Sequence, residues 1–137
     1  KRRRRSLGFA AGGAALAFFD EIDASPYKKY MVFRATGIMS ITALTVYLAG
    51  DRREITPNTL IQFTDLFATE ENVADPTDPT PLRLPEEFDG KIIARYVELI
   101  VNRTKLKAPE ILEMVKNNTV INAEQAIEYG IAQKLAK

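Results

Sequence analysis

Residues 30–50 have the sequence YMVFRATGIMSITALTVYLAG, and the hydrophobic pattern of this stretch decides the fold class. The run Tyr30–Phe33 is continuously apolar, which is typical of a strand buried on both faces. Thr36-Gly37 interrupts the run. Ile38–Ala49 is again apolar, with small residues interspersed, and predicts a buried helix that ends at Gly50.

The flanking segments extend this pattern in both directions. Before it, Ala10–Ile22 combines alanines with large apolar residues and predicts a helix that packs closely against a neighbour. After it, Ile55 and Leu60–Phe63 predict short strands on either side of the turn Thr56–Asn58. The resulting order of helix, strand, helix and strand is typical of an α/β domain with a layered, largely parallel sheet.

The second half of the chain changes character at Leu66. Four prolines lie within ten residues, at positions 76, 79, 81 and 85, and they exclude regular structure there. From Glu86 onward, apolar residues recur at spacings of three and four, which predicts an amphipathic helix. Pro109 suits the first turn of another helix. The sequence therefore predicts a long excursion followed by helices.

The C-terminal segment contains a helix start and a helix stop. Asn122 with Gln125 three residues later matches a capping box, and Gly130 is a typical C-terminal stop. Together they predict a helix over Ala123–Tyr129.

Composition excludes several kinds of chemistry. The 137 residues contain no Cys and no His, so they supply neither a disulfide, a thiol nucleophile nor the imidazole of a Ser-His-Asp triad. We expect no cofactor and no metal site. Lys+Arg is 19 and Asp+Glu is 18, so net charge gives no argument for nucleic acid, and we expect none as a partner.

The termini and apolar runs add little to this. Lys1–Arg5 is the one charge block, and it is either a phosphate-binding arm or a solvated terminus. The apolar stretch Leu7–Phe19 is too short to cross a bilayer, so we expect no membrane span.

Few residues could carry hydrolytic chemistry. Ser40 lies at the predicted opening of the buried helix, where a general base could activate it, and without His that base would be a lysine. No lysine has a spacing that favours it, and the internal candidates are Lys28, Lys29, Lys91, Lys105 and Lys107. The other interpretation of Ser40 is a packing or capping serine.

The order of several motifs resembles the Clp protease proteolytic subunit family. Val120–Ala132 (VINAEQAIEYGIA) is similar to the family's C-terminal F-[ML]-S-A-x-E-A-x-E-Y-G-L pattern, of which enoyl-CoA hydratases share a looser version. Gly37–Asn58 resembles the nucleophile helix and the following K-R-x-x-x-P-N turn. Ala15–Ile22 is similar to the family's G-L-A-I-Y-D-T-M helix. The resemblance covers most of residues 8–137 outside the proline-rich excursion.

The chain departs from this family at every catalytic position. The resemblance places the nucleophile at Ile41, the histidine at Thr64 and the aspartate at Asn118. The Pro-Gly-Gly oxyanion loop falls near Gly8, Phe9 and Ala10, and the residue after the nucleophile position is Thr42.

The resemblance implies a fold and a domain organisation. The expected fold class is α/β, a Clp protease/crotonase-like β-β-α spiral with a helical handle. Residues 1–7 form a basic segment and 8–137 one domain, in which 66–87 is the excursion and 88–104 a handle-like helix. The family's first strands and axial loop should precede residue 8, so we expect the chain to be incomplete at its N-terminus.

The resemblance also implies a function. The favoured hypothesis is a non-catalytic structural or regulatory subunit that forms homo- or hetero-oligomeric rings with Clp-type subunits and works with an AAA+ unfoldase. One alternative is an active serine endopeptidase that uses Ser40. Another is a crotonase-like acyl-CoA binder. The family resemblance implies a location in a bacterial-type cytoplasm or an organelle interior.

Overall fold

The computed structural model describes residues 14–63 and 86–136, with side chains in the second range described from Lys91 onward. In the first range, α1 covers residues 14–24 and a short 3-10 helix covers Lys28–Tyr30. They are followed by β1 (Val32–Ala35), β2 (Ile38–Met39), α2 (Ile41–Tyr47), β3 (Arg52–Ile55) and β4 (Leu60–Gln62). The second range contains α3 (Glu86–Arg103), α4 (Ala108–Lys116), β5 (Val120–Asn122), α5 (Ala123–Glu128) and β6 (Lys134–Leu135).

The described strands form two small sheets. One has the order β1-β3-β6 and the other the order β2-β4-β5. Both pairings in the first sheet are parallel, as is β2 with β4, whereas β4 and β5 are antiparallel. The expectation of a layered, largely parallel α/β fold is confirmed. The predicted strands on either side of Thr56–Asn58 are also present, as β3 and β4.

Alternation of burial shows how the strands face the core. In the second sheet, Met39, Ile61 and Ile121 are buried, while their neighbours Ile38 and Leu60 are exposed. The helices α2, α3, α4 and α5 close over the buried faces. The largest fully buried side chains are Phe63, Leu44, Leu48, Ile55, Ile61, Ile100, Ile111, Ile121 and Ile131.

The prediction of a strand over Tyr30–Phe33 buried on both faces was wrong. Tyr30 belongs to the 3-10 helix and is 72% exposed, and β1 begins at Val32, which is 53% exposed. Phe33 and Ala35 face the core, whereas Val32 and Arg34 face solvent. The apolar run therefore combines a turn with a strand that has one buried face, because period-two alternation places Arg34 outside.

The helix predicted for Ile38–Ala49 is shorter than expected. Gly37 has φ +67°, which turns the chain so that Ile38–Met39 pairs with β4. Ser40 is extended, and α2 covers only Ile41–Tyr47. Gly50 follows the helix but is not left-handed. Instead, a Cβ placed on Gly50 would lie 2.3 Å from Cδ1 of Phe33, so glycine allows a close approach there.

The C-terminal predictions are confirmed. The Gln125 amide donates to Asn122 Oδ1 (2.9 Å), and the Asn122 amide donates to Gln125 Oε1 (3.0 Å). Gly130 is left-handed with φ +76° and follows α5. A proline lies in the first turn of α4, and α3 starts at Glu86. In the described part of the chain, no helix has the length and apolar character that crossing a membrane would require.

Candidate functional site

Two of the three predicted triad positions line one cavity. Ile41 begins α2, and Asn118 lies in the turn between α4 and β5. The cavity has a volume of about 370 Å³. Apart from Asn118 and Lys116 its lining is mainly apolar: Ile41, Ile93, Tyr96, Val97, Ile100, Ile111, Leu112 and Val115. The fold thus brings Ile41 and Asn118 to one cavity, although they lie 77 positions apart in the sequence.

The residue at the predicted nucleophile position has no reactive group. Ile41 is 2% exposed, and its hydrocarbon side chain belongs to the main hydrophobic core. Ser40, the alternative nucleophile, is not among the residues that line the cavity. Its Oγ accepts a hydrogen bond from the Ala43 amide (3.3 Å) and caps α2. Ser40 therefore has a structural role that accounts for its position without chemistry.

Asn118 closes the C-terminal end of α4. Its φ of 51° is the one positive value found among described residues other than glycine. The Asn118 amide donates to the Val115 carbonyl (3.2 Å), and the Thr119 amide donates to the Met114 carbonyl (2.9 Å). Asparagine is favoured in this left-handed conformation. The turn therefore explains the residue type at the predicted aspartate position.

The remaining predicted positions lie outside the described residues. Thr64 is one of them, and so are Gly8, Phe9 and Ala10 of the oxyanion-like loop. The last described residue before Thr64 is Phe63, whose amide donates to the Thr119 carbonyl (2.8 Å). The assignments of Thr64 and of the loop stay predictions.

Tyr96 of α3 lies in the wall of the cavity, close to Thr42 in the first turn of α2. Tyr96 is 2% exposed. Burial raises the pKa of Tyr96, and the nearby Thr42 side chain opposes that rise. The cavity wall thus contains a buried phenol, for which the sequence pattern indicated no role in a site.

None of the lysines proposed as a general base lines the cavity. Lys28 instead pairs with Asp23 (2.6 Å) and Asp51 (3.2 Å). The lysine that does line the cavity is Lys116, in the last turn of α4, which the sequence did not single out. Within 14–63 and 91–136, no group of three or more metal-ligating side chains could hold an ion.

Arg53, which lies in the segment that resembles the K-R-x-x-x-P-N turn, is a buried structural cation. Its Nε donates to the Ile131 carbonyl (2.7 Å) and its Nη1 to the Gly50 carbonyl (2.7 Å). Its Nη2 donates to the carbonyls of Arg103 (3.1 Å) and Gly130 (3.2 Å). These carbonyls lie at or just after the C-terminal ends of α2, α3 and α5, where helix dipoles favour a cation.

Among the comparisons with known proteins, only the comparison with solved structures found similar proteins. No family model matches the sequence, and no curated protein matches it significantly. The fold is similar to the ClpP protease catalytic domain from Plasmodium falciparum (TM-score 0.66, 14% identity, 92% of this chain, 61% of that one). It is also similar to ClpP1 from Listeria monocytogenes (0.66, 19%, 91% and 66%). An enoyl-CoA hydratase/isomerase from Marinobacter aquaeolei is a third match (0.57, 15%, 96% and 39%).

The chain therefore spans between 39% and 66% of the length of these three chains. At sequence identities of 14–19%, the similarity concerns the fold and not the activity. Similarity to both Clp protease domains and a hydratase agrees with the resemblance drawn from the motifs. The chain therefore has an α/β fold similar to that of these Clp protease domains and of the hydratase.

Proposed function

We propose that this chain is a non-catalytic structural or regulatory subunit of a Clp-type protease assembly. The proposal rests mainly on the burial of Ile41, an isoleucine at the predicted nucleophile position. Ile41 lines the same cavity as Asn118. An aliphatic side chain cannot attack a carbonyl. An amide in place of the triad carboxylate cannot stabilise an imidazolium, and these 137 residues contain no imidazole.

The geometry of Ser40 argues against the active-peptidase alternative. A nucleophile needs a base within hydrogen-bond reach, and the Ser40 Oγ instead accepts a hydrogen bond from the Ala43 amide. No other hydrogen bond to the Ser40 Oγ occurs among described residues. A lysine base from a partner chain would have to displace this cap.

The proposed role is assembly with Clp-type subunits, in homo- or hetero-oligomeric rings that work with an AAA+ unfoldase. The amphipathic pattern of α3 supports this. Tyr96 and Ile100 are buried in the core, and Ile92, Val97 and Val101 pack against it. We propose that the other large apolar residues described on α3, Ile93 and Leu99, contact neighbouring subunits.

Two measurements on the purified chain test the proposal. The first is labelling with a fluorophosphonate probe, for which we expect no adduct on Ser40. The second is native mass spectrometry of the chain alone and mixed with an active Clp protease subunit, for which we expect rings. Labelling that disappears in Ser40→Ala would establish the active alternative, and a stable monomer in both samples would refute the role in assembly.

The cavity favours one second candidate, a crotonase-like acyl-CoA binder. Its lining is mainly apolar, as an acyl chain requires, and Lys116 supplies a cation for a phosphate or carboxylate. Isothermal titration with a medium-chain acyl-CoA tests this candidate. Binding that Lys116→Ala weakens and the exposed control Lys134→Ala does not would favour it over the assembly role.

A further inference from the structure

The sheet β1-β3-β6 turns one face to solvent, and that face carries an excess of positive charge. Register pairs Val32 with Arg52, Arg34 with Glu54, and Glu54 with Lys134. These five residues, which we call the basic face, alternate with the core-facing Ala35, Arg53 and Ile55. Three cations therefore share the basic face with one carboxylate.

The single carboxylate is already engaged by two of the cations. Glu54 Oε1 lies 3.3 Å from Nη2 of Arg34, and Glu54 Oε2 lies 3.5 Å from Nζ of Lys134. Arg52, by contrast, forms no ion pair with any residue in the described ranges. An exposed guanidinium next to exposed Val32 is therefore available for a carboxylate from outside the chain.

Exposed aromatic area adjoins the same end of this sheet. Tyr30 lies two residues before Val32, the first residue of β1, and is 72% exposed, and the Lys29 ammonium lies 5.2 Å from the centre of its ring. Lys28 of the 3-10 helix forms an ion pair (3.2 Å) with Asp51, the residue before Arg52. This ion pair holds the 3-10 helix next to the start of β3. Aromatic, apolar and cationic groups thus lie together, and aromatic residues and arginine are enriched in protein–protein interfaces.

We propose that the basic face binds an acidic peptide segment of a partner protein. Its carboxylates would pair with Arg52 and with the outer nitrogens of Arg34 and Lys134. An apolar side chain of the segment would cover Val32 and Tyr30. The proposal is independent of whether the chain is catalytic, since the cavity at Ile41 is formed by other elements.

Charge distribution favours a peptide over a nucleic acid. Glu54 lies in the middle of the basic face, where a continuous phosphate backbone would meet its carboxylate. The whole chain has a formal net charge of only +1. A peptide can place discrete carboxylates on either side of Glu54, whereas a nucleic acid carries a phosphate at each nucleotide.

Fluorescence anisotropy with the full chain tests this proposal. The probe is a fluorescein-labelled peptide of alternating Asp, Glu and Leu, and we expect saturable binding that weakens as NaCl is raised. We expect Arg52→Glu to weaken binding about ten-fold or more, because charge reversal turns attraction into repulsion. Circular dichroism establishes that the variant is folded.

Arg95→Glu is the matched control. It reverses another exposed cation, on α3, whose one described ion pair is a 4.0 Å contact with Glu98, and we expect unchanged affinity. A wild-type chain that does not bind the peptide would overturn the proposal. So would equal losses in Arg52→Glu and Arg95→Glu, or tighter Arg52-dependent binding of single-stranded nucleic acid or anionic vesicles than of the peptide.

Discussion

Loss of the Arg53 guanidinium should destabilise the chain. Its guanidinium satisfies four carbonyls at once, and no carboxylate lies in ion-pair distance among the described residues. Burial lowers the pKa of Arg53, although arginine stays charged at any ordinary pH. We expect Arg53→Met to lower the free energy of unfolding by about 2–4 kcal/mol, because buried carbonyls lose their donor.

Urea denaturation followed by circular dichroism measures this loss. Arg52→Met is the matched control, since Arg52 is the exposed neighbour, and we expect a change within about 0.5 kcal/mol. Similar losses in both variants would show that the carbonyl contacts of Arg53 contribute nothing beyond those of a surface arginine.

Ser40 should behave as a helix cap and not as a nucleophile. Ser40→Ala removes the acceptor of the Ala43 amide, and we expect a loss of about 1 kcal/mol in unfolding free energy. Ser40→Asp retains an acceptor oxygen at the N-cap and should retain most of the stability, although an aspartate cannot replace a serine nucleophile. Peptidase activity that both variants abolish would contradict the capping role.

At the scale of elements, Gly50 allows β1 to pack against the end of α2. A Cβ at this position would meet the Phe33 ring at 2.3–2.9 Å. We expect Gly50→Ala to lower the free energy of unfolding by about 1–3 kcal/mol, because the ring must move. A double-mutant cycle with Phe33→Ala isolates the contact, and additive effects would show that the clash is not the cause.

A four-charge cluster ties the C-terminal end of α3 to the first half of the chain. Arg103 and Lys28 both contact Asp23 and Asp51, and Arg103 also lies over the Phe19 ring. Hydrogen bonds from Lys28 and then Arg103 lower the pKa of Asp23 below its ordinary value of 3.8. The unfolded state therefore binds a proton more readily, and Asp23 stabilises the fold above that value.

This cluster predicts an acid-sensitive contribution to stability. At pH 7 we expect Asp23→Asn to be less stable than wild type by about 0.5–1 kcal/mol, a small effect because the pairs are solvent-exposed. The difference should disappear as the pH falls below 3.8 through the folded-state pKa of Asp23. Urea titrations across this range, with Glu98→Gln as control, measure it, and a pH-independent difference would contradict the assignment.

At the scale of the whole molecule, restoring triad side chains should not restore activity. In the variant Ile41→Ser, Thr64→His, Asn118→Asp, the new serine and aspartate would line a cavity that is mainly apolar. Catalysis needs those groups placed within about 0.5 Å by surrounding contacts. We also expect Ile41→Ser to cost about 1–3 kcal/mol in stability.

Peptide turnover with and without a serine-directed inhibitor measures this outcome. We expect turnover indistinguishable from a sample without enzyme, in a variant that still folds by circular dichroism. Inhibitor-sensitive turnover would show that the oxyanion site is intact and that the assignment of Gly8–Ala10 is mistaken.

The amino-acid sequence by itself determined the α/β class, the helices α3, α4 and α5 in the second half of the chain, and the residue at which α5 starts. These features could be predicted because a capping box, a first-turn proline or an amphipathic stripe depends only on residues that are close together in the sequence. The lack of His and Cys is likewise a property of composition. The assignment of Ile41 to the nucleophile position rests on motif order alone and stays a prediction.

Only the tertiary structure decided which apolar residues are buried and which side chains meet. Tyr30 and Ile38 are as apolar as their neighbours, yet both are exposed, because strand pairing and the turn at Gly37 set which face meets the core. The close approach of Thr42 and Tyr96 and the carbonyl cluster around Arg53 join segments about 50 or more residues apart. Such contacts depend on how elements pack, and a pattern of spacing along the chain does not contain that information.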